Sequence, residues 1–468
     1  MSLLPESAQL PQGLLLSYYG DDFTGSTDAM EVMSAAGLPT VLFLRTPDAA
    51  MLARFPEVRC IGIAGSSRGR SPQWMEEHLP QAFTALAALA ALGAPVMQYK
   101  VCSTFDSSPE TGSIGRAIDI GTRHLRGDWS PMVVGAPRLK RYQLFGNLFA
   151  AVDGQGYRLD RHPTMSRHPV TPMDEADLRR HLRRQTARRL ELVDMLQLRD
   201  GAVQAQARLE SLRGGDAPVV LIDVLDDETQ RQAGRLVWEG RGAGVFSASS
   251  SGLQYALTAY WRERGWIAAQ PSLPKAGPVP VIAAVSGSCS PVTAGQIAWA
   301  REHGFACLRM DLPAVLRPER RTAELGRLVA AADAAIASGR SPLVFSAEGP
   351  DDPAVAGFDD IAAQAGLARG EAARQVGIAL AETLRAILDG DSGQSLQRIA
   401  IAGGDSSGEV ASALDITALS VCAGLAPGAP LCRAWSDNSR RDGLELVLKG
   451  GQVGARSFFG DVREGAVN

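Results

Sequence analysis

The chain has 468 residues, 45% of them hydrophobic, with 47 Lys and Arg against 51 Asp and Glu and a formal net charge of −4. That length exceeds one ordinary core, so two domains are expected, and the near-neutral balance argues against nucleic acid as the main partner. Six cysteines without CxxC spacing argue against a disulfide framework or a zinc site, and no apolar run approaches the ~20 residues of a membrane span.

The leading segment, MSLLPESAQLPQG, carries neither the basic stretch nor the apolar core of a signal peptide. A soluble cytoplasmic protein is therefore expected. The first predicted strand covers 14–19. The turn Gly20-Asp21-Asp22-Phe23-Thr24-Gly25 follows it, and a helix over 26–36 stops at Gly37. Further strands are predicted at 40–44, 60–64, 96–101, 131–135, 219–225 and 244–248, with helical stretches at 72–92 and 227–239 among them. Such alternation reads as α/β with a mainly parallel sheet. Residues 174–190 carry six arginines (179, 180, 183, 184, 188 and 189). We read them as a solvated helix face in preference to a phosphate patch.

Four prolines fall within 268–280, a density that stiffens a linker and blocks regular structure. The predicted division is therefore a first domain over 1–267, a linker over 268–280 and a second domain over 281–468. Alternation restarts after the linker, with strands at 281–285, 305–310, 342–346 and 398–402. Helices are predicted at 291–303, 320–338, 368–389 and 407–414. Strands near 431–435 and 444–448 end the series. The predicted fold is thus two α/β domains, each a mainly parallel sheet flanked by helices.

Two loops in the second domain stand out. Ser286-Gly287-Ser288-Cys289-Ser290 follows one apolar run, and Gly403-Gly404-Asp405-Ser406-Ser407-Gly408 follows another. A strand, a loop of small residues and then a helix present bare N–H groups and a helix N-terminus to an anion. A plain strand-to-helix turn uses the same residue types. Two such loops, with Lys449-Gly450-Gly451 after a third strand, favour a polyphosphate, and a nucleotide is the natural candidate. The usual GxxxxGK[ST] and GxGxxG fingerprints are missing.

In the first domain Asp21, Asp22, Thr24, Ser26 and Asp28 crowd the end of the first strand. Ligands of open α/β sheets bind at that end. Carboxylates there can accept from sugar hydroxyls, take a proton or hold Mg²⁺, whereas a capping role accounts for one of them. A second polar cluster is Lys100-Val101-Cys102-Ser103-Thr104-Phe105-Asp106-Ser107-Ser108, followed by Gly112-Ser113-Ile114-Gly115-Arg116. Lys100 there is either a surface charge or a ligand for carboxylate or phosphoryl oxygens. Cys102 and Cys289 have no histidine near them in sequence and read as inert thiols.

Together these residues resemble the four-carbon acid sugar kinase family over nearly the whole chain. Its DDxTGxxD motif is matched by Asp21 to Asp28, its SGSCSPxTxxQ by Ser286 to Gln296, and its GG[DE]TSG by Gly403 to Gly408 with Ser406 at the threonine. Its KSGxFG is altered to Lys449-Gly450-Gly451-Gln452-Val453-Gly454. The resemblance implies an ATP- and Mg²⁺-dependent kinase of carbohydrate catabolism. The acid sugar would sit in the N-terminal domain and the nucleotide in the C-terminal one.

On that basis Asp21, Asp22 and Lys100 are expected to be catalytic. Thr24, Asp28, Ser103, Thr104, Asp106 and Arg116 are expected to bind the sugar acid. Ser286, Gly287, Ser288, Ser290, Gly403, Gly404, Asp405, Ser406, Lys449 and Gly450 are expected to bind ATP. No metal ligand is assigned. The family pattern KxDSTxRG is not kept: Cys102 stands at its Asp and Asp106 at its Arg. An aspartate repels the carboxylate that an arginine grips with a bidentate fork. Arg116, Arg138, Lys140 and Arg141 are the candidate replacement cations. A subgroup of the family acts on a branched acid, 3-oxo-isoapionate, and the altered segment fits it; four-carbon acids such as threonate, erythronate and 3-oxo-tetronate stay open. An inactive nucleotide or sugar-acid sensor is the alternative. The sequence does not give the oligomeric state, and a homodimer is left open.

Overall fold

The computed structural model describes residues 9–466 apart from 92, 126, 153, 169 and 271, and the side chains of 90, 91, 405 and 406 also lie outside the described residues. The chain forms two compact units, Met1–Ser272 and Leu273–Asn468.

The strands of the first unit are β1 (Leu16–Gly20), β2 (Thr40–Phe43), β3 (Cys60–Ala64), β4 (Val96–Lys100), β5 (Ser130–Met132), β6 (Arg141–Leu144), β7 (Asn147–Val152), β8 (Gln155–Arg158), β9 (Leu190–Val193), β10 (Val219–Ile222) and β11 (Val245–Ser249). Its main sheet runs β11-β4-β1-β3-β2, with every pairing parallel. β1, β3, β4 and β11 are buried along their whole length. β3 and β11 accordingly read as unbroken runs of apolar or small residues instead of alternating ones. The chain leaves β1 towards β2 and β3 on one side, then crosses to β4 and β11 on the other. The direction of winding therefore reverses between β1 and β4, and the C-terminal ends of such a strand pair are where a doubly wound sheet places its ligands.

Two small sheets complete this unit, β5-β10-β9 and β6-β7-β8. The second is a pair of hairpins absent from the sequence reading. Its first turn is Phe145-Gly146, with φ of 49° and 78°, closing β6 on β7 with Leu144 opposite Asn147. Two successive left-handed residues usually announce themselves as Asn-Gly or Asp-Gly. Here the buried Asp223 imposes the turn, its carboxylate accepting from the Phe145 and Gly146 amides at 2.5 and 3.0 Å.

The expected arginine-rich helix face over 174–190 is corrected. Only Leu178–Arg183 is helical, and β9 begins at Leu190. Five of the six arginines are held in ion pairs of 2.7 to 4.0 Å: Arg179 with Asp177, Arg180 with Glu175, Arg184 with Asp174, Arg188 with Asp119 and Arg189 with Glu191.

The strands of the second unit are β12 (Ala283–Ser286), β13 (Phe305–Arg309), β14 (Ser341–Phe345), β15 (Arg398–Ala402), β16 (Ala418–Ala426), β17 (Ala429–Trp435) and β18 (Glu445–Lys449). They run β16-β17-β18-β15-β12-β14-β13. β18, β15, β12, β14 and β13 are mutually parallel, and β17 is antiparallel to both its neighbours. Ile282, Ala284, Ile297, Phe305, Leu343, Ala400, Val447 and Phe459 share the core. The later part of the Pro-rich stretch is fixed to this unit. Ala276 and Val279 donate main-chain bonds to Gly465 and Arg463 at 3.2 and 2.9 Å, and the buried Arg398 donates to Gly277 O at 3.0 Å. No helix among the described residues is long and apolar enough to cross a membrane.

Candidate active site

In the first unit, four strand ends converge. Asp21 and Asp22 leave β1, Arg68 follows β3, Lys100 ends β4 and Ser249 ends β11. Main-chain bonds stitch these ends together, with Asp21 N donating to Lys100 O at 2.9 Å, Arg68 N to Asp21 O at 3.1 Å and Val101 N to Ser249 O at 2.9 Å.

Sequence reasoning missed the centre of this cluster. Arg68 forks across both carboxylates, donating to Asp21 Oδ1 and Oδ2 at 2.8 and 3.2 Å and to Asp22 Oδ2 at 2.7 Å. A lone arginine forty-six residues beyond Asp22 carries no local signal; only the parallel pairing of β1 with β3 brings it there. Asp22 also caps the helix Phe23–Ala35, accepting from Gly25 N at 2.8 Å, while Thr24 donates to its Oδ2 at 2.8 Å. Gly25 is required by space: a Cβ there would lie 2.4 Å from Asp22 Oδ1 and 2.9 Å from Lys100 Nζ.

Lys100 is 2% exposed, so it is no surface charge, and it pairs with Asp28 at 3.7 Å. The three carboxylates differ. Burial raises Asp21 above the ordinary range even against Arg68, and burial raises Asp28 even against Lys100. Burial acts on Asp22 in the same sense, but Arg68 and Lys100 together outweigh it and hold this carboxyl low. Asp28 Oδ1 is buried and has no hydrogen-bond partner among the described residues.

The segment after β4 turns on itself, with Phe105 N donating to Cys102 O at 3.0 Å and Phe105 at φ 60°. A buried phenylalanine in the left-handed region is strained, and the turn it makes leads the chain into Asp106. Ser103 is half-buried, and Thr104 is buried with Cys102 Sγ 2.9 Å from its Oγ1. Burial, and then the charge of Asp106, push the Cys102 thiol up to about 11, so it is a poor nucleophile. Among the described residues Arg116 makes no hydrogen bond or ion pair with this cluster. It pairs with Glu76 at 3.3 Å with 41% of its side chain exposed.

In the second unit, β18, β15 and β12 are neighbours, and their three loops interlock. Gly287 N donates to Ala402 O and Gly403 N to Lys449 O, both at 2.9 Å. Ser290 caps the helix Pro291–Glu302, accepting from Thr293 N at 3.1 Å, and its hydroxyl donates to Gly451 O. Gln296 Nε2 donates to the carbonyls of Val453, Gly454 and Ala455 at 3.0, 3.2 and 2.9 Å. Ser286 and Ser288 are buried, and Ser288 Oγ lies 2.9 Å from Thr293 Oγ1. A Cβ on Gly451 would come within 3.0 Å of Ser288 Oγ, whereas Gly404 faces open space. Gly403, at φ 128°, turns the chain from β15 into the helix Gly404–Ala413. The side chains of Asp405 and Ser406 lie outside the described residues.

Lys449 is fully buried and donates to Thr293 Oγ1 at 3.0 Å. Burial brings its amine down to about 7. A buried lysine beside small-residue loops, with no carboxylate paired to it among the described residues, is charged cheaply only when an anion arrives. Thr293, which links Lys449 to Gly451, and Gln296 lay within the quoted motif but were not expected as site residues.

A family model described as a sugar-binding N-terminal domain matches residues 16–257, and one described as a nucleotide-binding C-terminal domain matches 283–459. This chain belongs to the four-carbon acid sugar kinase family. It is accordingly a sugar acid kinase that uses ATP. It is 69% identical over 455 residues to a 3-oxo-isoapionate kinase of Paraburkholderia graminis, covering 97% of this chain and 95% of the relative. A 3-oxo-tetronate kinase of Methylobacterium radiotolerans is 30% identical over 449 residues, covering 96% and 98%. In fold it is similar to a crystal structure from Salmonella typhimurium described as a putative tRNA synthase, with TM-score 0.74 and 24% identity over 95% of this chain and 98% of that one.

Proposed function

We propose that the protein transfers the γ-phosphoryl group of ATP to a hydroxyl of 3-oxo-isoapionate, a branched sugar acid, with the acid bound in the domain over 1–267 and the nucleotide in that over 281–468. The observation that carries the substrate is the 69% identity to a 3-oxo-isoapionate kinase along nearly the whole of both chains.

The residues of the second unit fit a polyphosphate. Lys449, the hydroxyls of Ser288, Ser290 and Thr293, and the first-turn amides of the helix Gly404–Ala413 line one set of interlocked loops. Amides at a helix N-terminus favour anions by charge and by unmet hydrogen bonds. Among the described residues no group of three His, Cys, Asp or Glu could hold a metal. Mg²⁺ therefore fits as the companion of the phosphates, held mostly by their oxygens and water. It neutralises charge on the transferred group when bound.

In the first unit Asp22, kept ionised, orients the acceptor hydroxyl, and Lys100 offers its charge to incoming phosphoryl oxygens. Asp28, whose free Oδ1 and raised proton affinity suit a base, receives the hydroxyl proton. Asp21 holds Arg68 in place. The test is coupled ADP release with Mg-ATP against 3-oxo-isoapionate, 3-oxo-tetronates, D-threonate and D-erythronate. Turnover confined to, or fastest by far with, the branched acid is the expected result. Preference for a four-carbon acid would replace the substrate, and silence across the panel with ATP still bound would return the sensor reading.

A further inference from the structure

The first unit contains two opposite charges that the described fold does not satisfy. Asp106 is 8% exposed, and its Oδ1 is buried without a hydrogen-bond partner among the described residues. Arg141, the first residue of β6, donates through Nη1 to two main-chain carbonyls, Leu139 O at 3.1 Å and Lys140 O at 3.2 Å, and its Nε is buried without a partner among the described residues. Asp106 lies close enough for its charge to act on Arg141, as does Cys102, and Asp106 also acts on Cys102. No ion pair of 4.0 Å or less joins them among the described residues.

A buried carboxylate near a half-buried guanidinium, with no ion pair between them, is costly, because the desolvation is not repaid by contact between the charges. Two features hold them apart. The left-handed Phe105 fixes Asp106 on the strand-end loop. The hairpin β6–β7, pinned by Asp223, fixes Arg141. The other nearby cation, Arg68, is already committed to Asp21 and Asp22. Arg138 and Lys140 are exposed.

We propose that Arg141 is the receptor for the substrate carboxylate and that Asp106 accepts from hydroxyls beside it, the ligand standing between the two charges. The inference rests on the sugar acid reading above and assigns the head group of that substrate. A carboxylate flanked by hydroxyls presents the two partners in the order the pair requires: an acceptor for the guanidinium fork and donors for the aspartate.

The experiment measures binding of 3-oxo-isoapionate and of its carboxamide by calorimetry to the full chain, beside Mg-ATP binding as the control for folding. In the wild type the acid is expected to bind at least tenfold more tightly than the amide. Arg141→Gln is expected to weaken the acid by tenfold to a hundredfold and to leave the amide within threefold, so that the two ligands become alike. Arg141→Lys should fall between wild type and glutamine, which separates loss of the fork from loss of the charge. Asp106→Asn should weaken acid and amide by the same factor. Equal loss of acid and amide in Arg141→Gln, with Mg-ATP binding intact, would overturn the assignment, as would unchanged affinity for the acid. Binding is read without turnover, so an absence of phosphoryl transfer would count against the kinase reading and not against the head-group site.

Discussion

Replacing Lys449 with methionine tests the nucleotide site through a proton. The buried amine sits at about 7 instead of the ordinary 10.5, and burial is the cause. The unfolded chain therefore binds more protons between pH 7 and 10.5, and stability rises with pH across that window. Below pH 7 the folded protein carries the full cost of charging the amine. The interval from 10.5 to about 7 is worth ~5 kcal/mol at ~1.4 kcal/mol per pH unit. Lys449→Met keeps the length of the side chain and removes that cost. The variant should gain several degrees in Tm at pH 6, and the gain should shrink steadily towards pH 10. Nucleotide binding should show the opposite effect. At pH 8 about nine in ten of the free amines are neutral, so capture of a phosphate should draw in about 0.9 proton per Mg-ATP. Calorimetry at pH 8 in two buffers of different ionisation enthalpy reads that number directly. Lys449→Met should show no such uptake and a Kd for Mg-ATP weakened at least tenfold. Wild-type binding without proton uptake, or the same uptake in the variant, would refute the argument that phosphate charges this lysine.

Three further expectations concern the sugar side. Asp22→Asn should lower kcat by a factor of about 10² or more while leaving the Kd for Mg-ATP within twofold, because asparagine still caps the helix but no longer carries the charge; unchanged turnover would remove Asp22 from the mechanism. Asp22 is also held low in the folded state, so its contribution to stability is present above the ordinary carboxylate value and is lost as pH falls below it. Arg68→Met leaves Asp21 and Asp22 buried without their shared cation and should cost ~3–5 kcal/mol in chemical denaturation; a loss under 1 kcal/mol would mean the fork contributes little. Gly25→Ala places a methyl 2.4 Å from Asp22 Oδ1, which should cost ~1–3 kcal/mol and displace the carboxylate. Activity should then fall further than the unfolded fraction alone explains.

The elements of the second unit were largely legible because each is a short apolar run ended by glycine, proline or a capping residue. Ser290 before Pro291 and Gly403 before Gly404 are local signals, and the strands and helices they bound follow from the residues themselves. The acidic turn after β1 was legible for the same reason: Asp21, Asp22 and Asp28 lie within eight residues of one another. Long-range partners were not. Arg68 reaches Asp21 and Asp22 only because β3 pairs with β1 in parallel register. The lysine at the end of β18 meets Thr293 only because β18, β15 and β12 lie side by side. The hairpin that carries Arg141 has no turn sequence of its own and closes on a carboxylate from residue 223, distant in the chain. Amino-acid sequence by itself determined the two α/β domains, the phosphate-type loops and the acidic strand end, since backbone preference and local capping suffice for those. Tertiary structure alone decided which cation faces which carboxylate, because strand order, which local preference does not encode, brings the charges together or keeps them apart.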